Sequence, residues 1–153
     1  MANLRAAKTR LRDSDKTFVC LFSTPSGEDK VYESDKKSLF PIMDKMDIRK
    51  KYFKDAYVAD RVVGKAAAML LVASGARGIY GEIMSEPAKK FLETVMYDRS
   101  MGRNNCKLVE FEARKTVPQI TNSTGIAVSP LEEAAAKLES YEEAYDMVKE
   151  YLA

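Results

Sequence analysis

The chain contains no histidine, no tryptophan and only two cysteines, and none of its apolar runs approaches the ~20 residues that a bilayer-spanning helix needs. Each absence removes a class of function. Without an imidazole there is no histidine to act as base to a serine or cysteine nucleophile, and no histidine ligand for zinc. Cys20 and Cys106 are too few for a disulfide framework and too far apart in sequence for a metal knuckle. A reducing, cytoplasmic setting is therefore expected, with no metal, no resident cofactor and no membrane span. The phosphate-loop pattern G-x-x-x-x-G-K-[ST] and the nucleophile-elbow pattern G-x-S-x-G are also missing.

What remains is the composition of an ordinary globular domain: 153 residues, 46% hydrophobic and 31% charged. The net charge of +2 hides an asymmetry, because residues 129–153 hold seven acids against two bases. Cations crowd two other places. One is the amino-terminal stretch with Arg5, Lys8, Arg10 and Arg12, read as a frayed basic arm over residues 1–16; it resembles an organelle presequence in its basic content, while the lack of an apolar segment excludes a secretory signal. The other is Lys45, Arg49, Lys50, Lys51 and Lys54, interleaved with Tyr52 and Phe53 and followed by Tyr57. Such basic, aromatic stretches suit a single-stranded nucleic acid, and equally a solvated face beside core aromatics.

Residues 17–153 read as one domain, with a helical extension from about residue 136. Thr17–Ser23 and Val31-Tyr32, joined through Pro25-Ser26-Gly27, predict a β-hairpin. Ser38–Asp47 predicts a short helix and Lys50–Ala59 a connector. The apolar run after Asp60 predicts a buried helix from about Arg61 to Ser74, capped by Asp60 and stopped by Gly75. Gly78–Met84 and Lys107–Ala113 predict strands, with a helix from Glu86 to Tyr97 between them and a loop over Val117–Gly125. Pro130–Leu152 predicts a last helix that breaks near Ser140, where Ser140 and Glu143 form a capping box.

Three helix starts hold the polar residues of interest. At the first, Arg61 and Lys65 lie four apart on one predicted face near the positive end of the dipole, with Gly64 between them for close approach of a strand or ligand. At the second, Ser85-Glu86-Pro87, Pro suits the first turn and Ser85 or Glu86 caps it, the reading favoured over a functional one. At the third, Ser129-Pro130-Leu131-Glu132 fits a capping box.

Together the segments D-R-V-V-G-K-A-A-A-M-L-L-V, I-Y-G-E-I-M-S-E-P-A and V-P-Q-I-T-N…G…S-P-L-E resemble domain-of-unknown-function family 1893 across residues 17–135. The resemblance implies a cytidine-deaminase-like, three-layer α/β fold: a mixed sheet of five or so strands flanked by helices, with the helix after Asp60 at its centre. In zinc deaminases a His-x-Glu motif opens one helix and Pro-Cys-x-x-Cys the next. This chain has Asp60-Arg61-Val62 near the first position and Ser85-Glu86-Pro87-Ala88 near the second, so no Cys/His zinc site can be assembled. Family members tend to show Cys-Pro-Met-Glu where this chain has Ser129-Pro130-Leu131-Glu132, which removes a thiolate.

The resemblance then implies a cleft in which Asp60, Arg61, Gly64 and Lys65 meet Ser85 and Glu86, with Asn122, Ser129 and Glu132 near the rim. The expected occupant is a small anionic or nucleotide-like ligand, bound without zinc-dependent deamination. Two alternatives stand beside it: an RNA-associated module using the basic arm and Lys45–Lys54, and a metal-independent enzyme in which Lys65 is nucleophile or base with Glu86 or Asp60 as partner. Pairing into a homo-oligomer is also admitted, because deaminase-like domains often pair.

Overall fold

The computed structural model of the chain describes residues 2–121 and 128–152. Its elements in chain order are α1 (Leu4–Arg12), β1 (Phe18–Ser23), β2 (Asp29–Ser34), α2 (Phe40–Met46), β3 (Tyr57–Val63), α3 (Lys65–Ala73), β4 (Gly78–Ser85), α4 (Glu86–Ser100), β5 (Glu110–Val117), α5 (Pro130–Ala136) and α6 (Ala144–Leu152), with a 3₁₀ turn at Tyr141–Glu143. The strands form one five-stranded sheet in the order β2-β1-β3-β4-β5. β1 runs antiparallel to both β2 and β3, whereas β3, β4 and β5 are parallel. The expected α/β fold with a mixed sheet flanked by helices is thus present.

Helices cover both faces. On one, α1 packs Leu4, Ala7 and Leu11 against Val19, Leu21, Ala59 and Tyr80. On the other, α2 to α6 bury Ile42, Met43, Leu70, Leu71, Leu92, Leu131 and Val148 in a larger core. α3 lies at the centre of that layer: every residue from Ala66 to Val72 is buried, which is why its sequence is apolar all round and shows no amphipathic period. It ends in a Schellman motif, with Gly75 N–H donating to Val72 O and Ala76 N–H to Leu71 O. Gly75 has φ +96° there, and a Cβ on it would stand 3.0 Å from Lys54 Cα, so the stop signal also lets the chain before β3 approach.

Four expectations are corrected. Asp60 does not cap a helix: Asp60 and Arg61 lie inside β3, and α3 starts four residues beyond the predicted Arg61, with Gly64 at its N-cap. The polar Asp-Arg pair imitates a helix start, but Val58, Ala59 and Val63 around it are buried strand residues. Nor do the amino-terminal residues fray, because Asn3 caps α1 through a 2.7 Å bond from Ala6 N–H and three apolar side chains bind the helix to the sheet. β5 occupies Glu110–Val117, later than expected. Ser129 sits at the N-cap of α5 but makes no side-chain cap bond, and Glu132 reaches α3 instead of back to Ser129, so the expected capping box does not form. The hairpin, α2, α4 and the capping box at Ser140 and Glu143 form as the sequence predicts.

Candidate functional site

Parallel strands direct their carboxyl ends toward helix starts, and crevices form there. In this molecule the crevice lies where β3 ends and α3 begins, closed from above by the 36–39 segment and the start of α5. It encloses about 240 Å³, smaller than the ~300–1,000 Å³ of drug-sized sites and suited to a fragment the size of a base.

Asp60 reaches this cavity from β3. Its residue is 8% exposed, and Oδ1 accepts a long 3.4 Å bond from Val62 N–H. No cation pairs with it among the described residues. Burial raises its pKa to about 7, against smaller opposing effects from the Val62 and Arg61 amides. A carboxyl held near neutrality can act as acceptor in one form and donor in the other, and is in the range suited to acid–base chemistry.

Glu132 enters from α5. Its Oε2 accepts from Lys65 N–H at 2.8 Å and Ala66 N–H at 3.4 Å, so the carboxylate of one helix caps the amino end of another. These groups are the free donors of the first turn, at the positive end of the α3 dipole. Gly64 makes the contact possible, because a Cβ there would lie 2.1 Å from Glu132 Oε1. Burial raises the Glu132 pKa, while the two amides and the nearby Lys65 ammonium pull it down.

The rim is basic and strained at one point. Lys36 and Lys37 line it and are exposed; Lys36 is paired with Asp44 at 2.5 Å, and Lys37 makes no ion pair among the described residues. Ser38, also lining the cavity, has φ +59°, a left-handed conformation that is unusual outside glycine.

The structure brings together Asp60, Arg61, Gly64, Ser129 and Glu132 of the residues expected from sequence. Three others, Lys65, Ser85 and Glu86, do not line the cavity. Lys65 contributes its amide to Glu132; Ser85 is buried as the cap of α4, accepting from Ala88 N–H at 3.1 Å; and Glu86 is exposed in the first turn of α4. Asn122 lies outside the described residues. Arg61 and Lys65 are not a cationic pair on one helix face, because Arg61 belongs to a strand. Its guanidinium is committed to Leu11 O, Ser14 O and Lys16 O at the end of α1, and to Glu82 at 3.0 Å.

Sequence reasoning did not include Lys36, Lys37 and Ser38. The only signal available was a polar run just after a predicted strand. For metal binding, Cys20 lies buried in β1 and Cys106 buried ahead of β5. Among the described residues no group of three or more His, Cys, Asp or Glu side chains is placed to hold an ion.

No curated protein matches the chain. Among solved structures, a DUF1893 family protein (TM1506) from Thermotoga maritima is similar over 97% of this chain and 88% of that one, with a TM-score of 0.73 and 24% sequence identity, a likeness of fold. The family model described as a domain of unknown function (DUF1893) matches residues 6–152, beyond the 17–135 segment at both ends and so including most of α1 and all of α6. The chain belongs to the DUF1893 family.

Proposed function

We propose that the chain is a deaminase-like domain that binds a small, nucleotide-like ligand in the cavity between β3 and α3, without zinc-dependent deamination. The deaminase-like reading is supported by two parallel strands, β3 and β4, each running directly into a helix, as the two motif helices of zinc deaminases do. Against zinc chemistry stands the donor set, which has no histidine and two cysteines on separate elements.

The observation that carries the ligand reading is Asp60, a buried carboxyl with no paired cation among the described residues, facing a cavity. Burying a carboxyl with no cation beside it is costly, and a ligand that supplies donors offsets that cost. The purely anionic ligand expected from sequence fits less well, since Glu132 already holds the α3 amino end and Arg61 is committed to α1 and Glu82. A molecule with N–H donors at one end and an anionic group at the other matches Asp60 inside and Lys37 at the rim. Nucleoside monophosphates have that arrangement, and a nucleobase alone supplies its donor end.

The test is a thermal-shift and calorimetric screen of nucleobases and nucleoside monophosphates at pH 6 and pH 8. A ligand present at a hundred times its Kd stabilises by about 2.7 kcal/mol, and this gain is expected to vanish in Asp60→Asn. Binding retained in Asp60→Asn, or no shift with any compound at either pH, overturns the reading.

A further inference from the structure

A second cavity lies at the opposite end of α3. It encloses about 360 Å³ and is lined by Phe22, Lys30, Arg49, Lys51, Tyr52 and Lys54. Four of its six lining residues are cationic and none is acidic. Lys30, Arg49, Lys51 and Lys54 are all exposed, and none pairs with a carboxylate among the described residues. The one acid within residues 45–54, Asp47, is turned away toward α6, where it meets Lys149 at 3.0 Å and accepts from the Tyr145 hydroxyl at 2.7 Å.

The walls are aromatic. Phe22 and Tyr52 stand edge to face, 5.5 Å apart at 85°, and both are half-buried. Cations lie over both rings: Lys30 is 5.8 Å from the Phe22 centroid, while Lys45 and Arg49 lie 5.5 and 5.8 Å from that of Tyr52, which also meets Tyr32 and Phe53 edge-on at 6.1 and 5.1 Å. The cationic side chains can swing aside or stack with an incoming ring.

We propose that this cavity is a binding site for single-stranded nucleic acid, in which a base stacks on Tyr52 or Phe22 while Lys30, Arg49 and Lys54 contact phosphates. Ring surface beside unpaired cations is what sequence-tolerant single-strand binding uses. An anionic membrane is the competing partner for a basic patch, and Ile48 nearby is 72% exposed. Membrane-surface binding, however, relies on an amphipathic helix, whereas residues 47–55 are turns and their cations converge on a concave site. The amino-terminal basic residues are not part of this surface, since α1 packs on the other face of the sheet. The proposal is independent of the ligand in the β3–α3 cavity.

The experiment is fluorescence anisotropy of a labelled ten-nucleotide oligouridylate with the full chain. Three phosphate contacts predict that affinity falls roughly twentyfold between 50 and 200 mM salt, given a slope of about −0.7 per contact for single strands. The exposed double variant Arg49→Glu/Lys54→Glu, checked for folding by circular dichroism, is expected to lose at least tenfold in affinity. A control of equal charge change on other elements, Lys90→Glu/Lys115→Glu, is expected to lose less than threefold. Equal losses in the two variants overturn the site, as do binding to phosphatidylserine vesicles without binding to the oligonucleotide, and equal affinity for an abasic oligomer of the same length.

Discussion

The two ends of α3 satisfy the same physical demand in different ways. At the amino end the donors meet a half-buried carboxylate from another helix, Glu132, beside a cavity whose other carboxyl, Asp60, pairs with no cation among the described residues. At the carboxyl end the Ala73 carbonyl accepts from the exposed Lys51 ammonium at 2.6 Å, beside a cavity walled by cations and rings. Both arrangements complement the dipole. They differ in desolvation: the amino end keeps its charges out of water, so perturbed carboxyls and energetic consequences concentrate there, while the carboxyl end keeps its cations wet and available to a large anionic partner.

The largest effect follows from Asp60. Its folded pKa, about 7, exceeds the 3.8 of the free side chain, so the fold favours the neutral form. The stabilising contribution is complete below pH 3.8, declines as pH rises, and is lost above the folded value. At about 1.4 kcal/mol per unit, the loss reaches about 4 kcal/mol at most. Asp60→Asn removes this titration while preserving shape. Denaturant unfolding at pH 5 and pH 8 is expected to show the variant gaining on the native protein by a few kcal/mol on going to the higher pH. Parallel curves would mean that the carboxyl is already ionised at pH 5 and would break the contrast between the two ends.

Next comes the Glu132 latch. Glu132→Ala leaves the Lys65 and Ala66 amides without their partner, a loss of about 1–2 kcal/mol by analogy with cap deletions. Gly64→Ala acts on the same contact from the other side. Gly64 has φ −92° and ψ 179°, which any residue adopts, so the added methyl group harms only by expelling the carboxylate. The two substitutions are therefore expected to cost similar amounts and the double variant no more than the costlier single one. Additive losses in a double-mutant cycle would show that Gly64 serves some other packing role.

This latch also marks the limit of what was legible in the sequence. Local chemistry was readable: the Pro25-Ser26-Gly27 turn, the Gly75 stop, the Ser85 cap and the Ser140–Glu143 box each act within a few residues of themselves. The cavity between β3 and α3 was half-readable, because Asp60, Gly64 and Glu132 were singled out while their roles were assigned from sequence neighbours. A capping box makes Glu132 serve Ser129, three residues away, but in the fold it serves Lys65, 67 residues away. Arg61 was likewise read with Lys65 and is instead bonded to carbonyls of Leu11, Ser14 and Lys16 and to Glu82. Polar side chains with two plausible partners are assigned by packing, and no local pattern reveals that packing.

The smallest effect is at the carboxyl end, and it sharpens the contrast through salt. Lys51→Met keeps the alkyl stem and removes the charge from the Ala73 carbonyl, an exposed interaction worth about 0.5 kcal/mol at low ionic strength. At 1 M salt the screening length falls to about 3 Å, so the difference between Lys51→Met and the native protein is expected to vanish. The cost of Glu132→Ala persists, because its hydrogen bonds are direct and partly out of water. Unfolding both variants in 0.05 and 1 M sodium chloride measures this. If both costs vanish together, the amino end is as solvated as the carboxyl end, and the high pKa of Asp60 loses its explanation in burial. If only the Lys51 cost vanishes, α3 joins a dry, carboxyl-lined pole to a wet, cationic one, which is the arrangement the two proposed ligands require.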